Sequence, residues 1–151
     1  MYYFIVNSSG GGGNATSTWK HVKRLLKQRK IEYTAFKTHG KGDATRYATQ
    51  ITENAAKKIN LIVVGGDGTI NEVLNGIKGF GKVRLGVIPT GSGNDFAKGM
   101  GIPKNTTAAF DRILAAGEGR KIDIGQLEIP GESGEKSRSC FFAIGAGIGL
   151  D

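Results

Sequence analysis

The 151-residue chain has one cysteine, Cys140, and two histidines, His21 and His39, which lie in different segments. A lone thiol forms no internal disulfide, and with no second thiol and no neighbouring histidine pair the chain offers no ligand set for structural zinc. Long apolar runs are also missing. None approaches the roughly 20 residues that a membrane-spanning helix needs, and residues 1–7 lack the basic leader and apolar stretch of a secretory signal. Acids are scarce in the first third: residues 1–50 hold nine lysines and arginines against two acids, whereas residues 51–151 hold twelve against eleven. The expectation is an intracellular, cytoplasmic protein with no transmembrane segment and no disulfide scaffold.

What is present is an ordinary globular composition, 38% hydrophobic and 23% charged, in a length that suits one core. Glycine is the exception. It makes up 25 of 151 residues, more than double the usual frequency of roughly 7%, without a collagen period. The net charge of +8 is concentrated in the first third, and such a field attracts nucleotide phosphates, anionic lipid or nucleic acid without choosing among them. A solvated basic helix face is the competing reading.

Apolar β-prone runs recur at 2–6, 33–36, 61–64, 85–88, 122–127 and 141–144, with helical patterns between the earlier ones. This alternation predicts a three-layer α/β/α fold with a mostly parallel sheet, and the continuous run Leu61–Val64 predicts a central strand buried on both faces. Trp19, Val22, Leu25 and Leu26 form the apolar side of a helix whose remaining face is basic, from Lys20 to Lys30, with Ser17 or Thr18 as the expected cap. Further helical patterns begin near Ala44, Thr69 and Thr106. Trp19 reads as a packing anchor, Cys140 as a small strand residue and His39 as a loop residue.

Three glycine-rich loops follow predicted strands: Asn7–Asn14, Gly65–Thr69 and Pro89–Ala97. Glycine turns at the carboxyl ends of parallel strands let main-chain N–H groups approach a phosphate, and a following helix N-terminus adds partial positive charge. Asp67 in such a turn sits well beside a polyphosphate only if a metal, a water or a transferable proton intervenes. The alternative is a tight turn in which Asp67 or Thr69 caps its own helix. Neither G-x-x-x-x-G-K-[ST] nor G-x-G-x-x-G occurs, which argues against a P-loop NTPase and a dinucleotide-binding Rossmann fold.

The stretch Gly65-Gly66-Asp67-Gly68-Thr69-Ile70-Asn71-Glu72-Val73 resembles the nucleotide-binding core of the diacylglycerol kinase and sphingosine kinase family. The opening Phe4–Asn7 with its glycine loop, Thr38–Ala44 and Gly91–Ala97 are similar to the same family's pattern. The resemblance implies a domain related to phosphofructokinases and NAD kinases that transfers the γ-phosphoryl group of ATP, with Mg²⁺, to a lipid hydroxyl. It places Asn7, Thr38, Gly65, Gly66, Asp67, Gly68, Thr69, Ile70, Asn71, Glu72, Ser92, Asn94 and Asp95 at the ATP site, with Asp67 the catalytic candidate and metal ligands unassigned. Many members read N-P-x-S-G where this chain has Asn7-Ser8-Ser9-Gly10, a departure that leaves the first loop's shape open.

The resemblance further implies an ATP-binding domain over residues 1–140 and the start of a missing C-terminal β-sandwich at 141–151, so that the chain is a fragment with half an active site, inactive alone. The implied partners are ATP and a lipid substrate, diacylglycerol, at the membrane surface, with peripheral attachment; a homodimer stays open. An NAD kinase shares the G-G-D-G-T element, though Asn71-Glu72 favours the lipid branch, and a non-catalytic nucleotide sensor needs only the loops. Nucleic-acid binding is disfavoured, because few aromatics interleave the basic residues.

Overall fold

The computed structural model describes residues 1–8, 14–130 and 138–142; most of the first glycine loop and the segment after Phe142 lie outside the described residues. Four strands, β1 (Tyr2–Asn7), β2 (Tyr33–Thr38), β3 (Ile59–Gly65) and β4 (Val83–Pro89), form one fully parallel sheet in the order β2-β1-β3-β4. Helices α1 (Asn14–Gln28) and α5 (Thr106–Ala115) cover one face. The other carries α2 (Asp43–Thr52), α3 (Asp67–Gly76) and the short α4 (Asp95–Gly99). The fold is the expected three-layer α/β/α.

Period-two alternation divides the core. Phe4 and Val6 of β1, Ile62 and Val64 of β3 and Ile88 of β4 pack under α1 and α5 with Trp19, Val22, Leu26 and Phe110. Ile5, Leu61, Val63 and Val87 point the other way, against Ile70, Val73 and Leu74 of α3 and Ala44 and Ala48 of α2. A strand apolar on both faces reads as an unbroken run, which is why Leu61–Val64 shows no polar alternation. Each fully buried large side chain contributes roughly 1.5–3 kcal/mol relative to exposure. Trp19 is the anchor expected of it, its ring 5.4 Å from Phe4 and 5.9 Å from Tyr33.

Helices α2 and α3 lie unusually close. A Cβ at Gly76 would overlap the Thr45 carbonyl, and the gap left by glycine lets Thr45 and Thr49 donate their hydroxyls to the carbonyls of Glu72 and Gly76, both at 2.9 Å.

Two sequence expectations fail locally. Helix α1 begins at Asn14, before the expected cap, because Ser17 donates its hydroxyl back to the Asn14 carbonyl at 2.8 Å and so sits inside the first turn. The run 122–127 does not join the parallel sheet. Ile122 and Ile124 pack against the α2–α3 side of the core without strand pairing. Strand β5 (Gly125–Ile129) instead pairs antiparallel with β6 (Arg138–Phe142) in a separate two-stranded sheet. That hairpin is tied to α3 by Asn75, whose side-chain oxygen accepts from Phe141 N at 2.8 Å and whose amide donates to Phe141 O at 3.0 Å.

Candidate active site

From β1 the chain goes outward to β2, then returns across β1 to β3, so the carboxyl ends of β1 and β3 flank the point where the winding reverses. Open α/β sheets bind ligands at such a crevice. Here it is bridged by side chains: Asn7, ending β1, donates its amide to Thr69 Oγ1 at 2.9 Å, and Thr38, ending β2, donates its hydroxyl to Asn7 Oδ1 at 3.4 Å. The ends of β1 and β2 and the first turn of α3 are thereby joined by one short polar chain.

The β3–α3 and β4–α4 loops meet backbone to backbone. A Cβ built on Gly66 would lie 2.9 Å from Gly91 Cα, and one on Gly91 would lie 2.8 Å from Gly66 Cα, so neither position admits a side chain without moving the other loop. Thr90 N donates to Gly65 O at 3.1 Å beside this contact. Asn94, in the left-handed region at φ 55°, closes the second loop by accepting from Gly91 N at 2.9 Å and donating back to Gly91 O. Asparagine tolerates that conformation better than most residues.

Asp67 crosses between the two loops. It is the first residue of α3, yet its carboxylate accepts from Asp95 N and Phe96 N, both at 3.0 Å, at the start of α4. Neither Asp67 nor Thr69 caps its own helix. Gly66 occupies the cap position with no side-chain bond, so the Asp67 and Gly68 N–H groups at the start of α3 have no partner among the described residues, whereas Thr69 N donates to Gly66 O at 3.0 Å. An uncapped N-terminus of a ten-residue helix, bordered by glycine, suits an anion.

A third loop joins from the α2 side. Glu72 Oε2 accepts from Gly42 N at 3.0 Å and Ala44 N at 3.3 Å, capping α2 from outside, while Gly42 takes a left-handed φ of 87°. Asp43 braces the same loop, accepting from His39 N at 2.8 Å, Gly40 N at 3.2 Å and Arg46 at 2.9 Å. The Arg46 guanidinium, then the His39 N–H, hold the Asp43 carboxyl below its usual range. Helix α3 is thus the hub: Asp67 ties the β4–α4 loop, Thr69 the β1 end and Glu72 the β2–α2 loop.

These loops enclose a cleft of about 670 Å³. Of the residues predicted for the site, Asn7, Thr38, Gly66, Asp67, Gly68, Thr69, Asn71, Glu72 and Ser92 line it. Gly65 and Ile70 do not; Gly65 sits beneath in the sheet, and the Ile70 side chain packs in the core at 3% exposure. Asn94 and Asp95 shape the second loop from behind, and Asp95 pairs with Lys98 at 3.2 Å. Residues 9–13 of the first loop lie outside the described residues. The cleft also takes in Gly40, Lys41, Ala44, Gly91 and Gly93, which sequence reasoning left outside the site. Lys41 had a signal, a cation flanked by two glycines.

Asp67 and Glu72 against Lys41 leave the described lining net negative, so a polyphosphate there requires a counter-cation. Among the described residues no group of three or more His, Cys, Asp or Glu side chains could cage a metal. That donor set fits Mg²⁺ carried in on phosphates and touched by one or two protein carboxylates, its usual mode in phosphoryl-transfer enzymes. Among the described residues no helix is long and apolar enough to cross a membrane.

Comparison with known proteins agrees with this geometry. The family model described as the diacylglycerol kinase catalytic domain matches residues 1–127. The chain is 33% identical to YtlR of Bacillus subtilis (strain 168), named as a candidate lipid kinase, over 99% of this chain and 48% of that protein. It is 41% identical to the diacylglycerol kinase of the same strain, over 72% of this chain and 36% of the relative. A crystal structure of a diacylglycerol kinase from Bacillus anthracis str. Sterne superposes with a TM-score of 0.62 at 26% identity, over 85% of this chain and 44% of that one. The chain spans about half or less of the length of these relatives. With the family model matched over most of its length and the fold shared with a solved relative, the chain belongs to the diacylglycerol kinase catalytic domain family.

Proposed function

We propose that this chain forms the ATP-binding part of a lipid kinase that transfers the γ-phosphoryl group of ATP to a lipid hydroxyl, with diacylglycerol as acceptor and phosphatidic acid as product. The observation that carries the reading is the backbone contact of Gly66 with Gly91, which brings two glycine loops and an uncapped helix start to one cleft. The parallel-sheet part of the chain is then the nucleotide domain, and the acceptor site is completed by the remainder of the full-length protein.

Phosphoryl transfer asks the protein for in-line positioning and charge neutralisation more than for covalent chemistry. The N–H groups at the start of α3 and the glycine main chain would hold phosphate oxygens, and Asp67 and Glu72 are the carboxylates available to Mg²⁺. Bound Mg²⁺ supplies neutralisation of the charge shared by the β- and γ-phosphates. The two main-chain bonds to Asp67 fix its carboxylate where the loops meet while leaving lone pairs for a metal, a water or an acceptor proton.

Calorimetric titration with ATP, with and without Mg²⁺, tests the nucleotide site on the chain itself, and Mg²⁺-dependent binding is expected. Transfer is read on the full-length polypeptide with γ-labelled ATP and diacylglycerol in mixed micelles. Label in an organic-phase phospholipid supports the proposal, whereas label in NADP when NAD is supplied replaces it with the NAD kinase reading. Binding without transfer to any acceptor leaves a nucleotide sensor.

A further inference from the structure

We infer that the Lys41 ammonium binds a phosphate oxygen of the nucleotide from the β2–α2 side of the cleft. Lys41 is the one cation among the described residues that line the cleft, and the family resemblance assigns Thr38 alone from its stretch of chain. It stands between Gly40 and Gly42 in a loop whose other N–H groups are engaged. Those of His39 and Gly40 donate to Asp43, those of Gly42 and Ala44 to Glu72, and that of Asp43 to the Gly40 carbonyl at 3.4 Å. From His39 to Ala44, Lys41 alone has a main-chain N–H with no partner among the described residues. Its ammonium likewise meets no acid among them.

The neighbouring carboxylates explain why this ammonium is free. Asp43, two residues on, is turned to two main-chain N–H groups and to Arg46, and Glu72 is turned to Gly42 and Ala44. The same bonds fix the backbone on both sides of Lys41, so holding an anion there costs the rotamers of one side chain and not the ordering of a loop. A lysine is a compact charge with three rotatable donors, which suits a single phosphate oxygen. A lysine that merely stays in water has no reason to line a cleft. This one faces the same space as Asp67 and Glu72, where a polyphosphate needs positive charge and Mg²⁺ carried in on the phosphates would otherwise supply all of it. That the anion belongs to a nucleotide rests on the ATP-binding reading above; that Lys41 is an anion-binding residue does not.

The test is calorimetric titration of the full-length polypeptide with Mg²⁺ and ATP, and with inorganic tripolyphosphate in place of ATP. Lys41→Gln should weaken both about tenfold, the effect of one charge-assisted hydrogen bond in an open cleft. Lys41→Arg keeps the charge and should stay within about threefold of the parent. Lys57→Gln removes an exposed lysine outside the cleft and should stay within about twofold, since a remote charge acts only through the screened field. Thermal unfolding should be unchanged in Lys41→Gln, because no bond within the protein is lost. Raised salt should narrow the gap between the parent and Lys41→Gln. The proposal is overturned if Lys41→Gln binds ATP within about twofold of the parent, or if Lys41→Arg or Lys57→Gln loses as much as Lys41→Gln. ATP binding that is indifferent to Lys41 removes this inference and leaves the nucleotide site standing. Lys41-dependent binding of tripolyphosphate, with ATP bound no more tightly, overturns the assignment to a nucleotide instead. A parent that binds neither anion removes both readings.

Discussion

On the α2–α3 side of the sheet, Asp43, Asp67 and Glu72 each accept main-chain N–H groups from a loop or helix start. On the α1–α5 side, six cations occupy residues 14–30 and, among the described residues, only Arg29 meets an acid. The first side is cross-tied by polar bonds spanning 28 to 30 residues of sequence between α3 and its neighbouring loops. The second is held by apolar and aromatic packing of Phe4, Trp19, Val22 and Phe110. Stability and site geometry are therefore separable: packing under α1 should govern whether the domain folds, and the carboxylates of α3 should govern where the loops lie once it has.

The largest expected effect breaks the packed side. Trp19→Ala removes a ring buried to 4% exposure that touches Phe4 and Tyr33, and should cost about 3–5 kcal/mol. Thermal unfolding should fall by roughly 10 °C. Mg²⁺-dependent ATP affinity, measured below the transition on the folded protein, should stay within about twofold, since no residue of α1 lines the cleft. A large loss of affinity in the still-folded variant would show that the two sides are not separable.

A smaller stability effect with a larger functional one is expected on the tied side. Asp67→Ala orphans two N–H groups at the start of α4 and should cost about 1 kcal/mol, the usual price of a lost cap. Asp67→Asn retains one acceptor and should cost less. If the carboxylate charge serves the metal, both variants should lose Mg²⁺-dependent ATP affinity alike, by tenfold or more; if Asp67 is only a brace, affinity should follow stability and Asn should be the milder. Glu72→Gln keeps the single oxygen that caps α2 and should stay within about 0.5 kcal/mol of the parent, whereas Glu72→Ala should not.

Much of this was readable from residue order. The unbroken Leu61–Val64 run announces a strand buried on both faces, and glycine loops after successive strands announce a shared cleft, because period and turn chemistry are local properties. Side-chain ties between distant elements have no such period. Nothing in the pattern around Asp67 names Asp95 and Phe96 as donors, and nothing around Asn75 names Phe141, 66 residues away. The same limit explains Ile122 and Ile124. Their alternation reads as a strand, but whether an alternating segment pairs or only packs depends on which edge lies beside it. Ser17 misleads for a different reason: a hydroxyl near a helix start can accept from N–H groups ahead or donate to a carbonyl behind, and here it donates to Asn14 O.

The smallest expected effect concerns Asp43, and its sign follows from linkage. Arg46 first, then the N–H groups of His39 and Gly40, favour the ionised carboxylate in the folded state and lower its affinity for a proton. In the unfolded chain the group returns to the ordinary aspartate value of about 3.9. Its contribution is therefore complete above that value and is lost as pH falls through the lower folded-state value. Urea midpoints of the parent and of Asp43→Asn should differ by a small constant amount between pH 7 and about 5, then converge below about 4 as the parent's carboxylate takes up its proton. Because the Arg46 side chain that pairs with Asp43 is exposed, salt should shrink the difference at neutral pH, whereas the backbone bonds that Glu72 makes to the same loop should persist. Divergence on acidification, rather than convergence, would mean that Asp43 is not the group whose ionisation braces the β2–α2 side of the cleft.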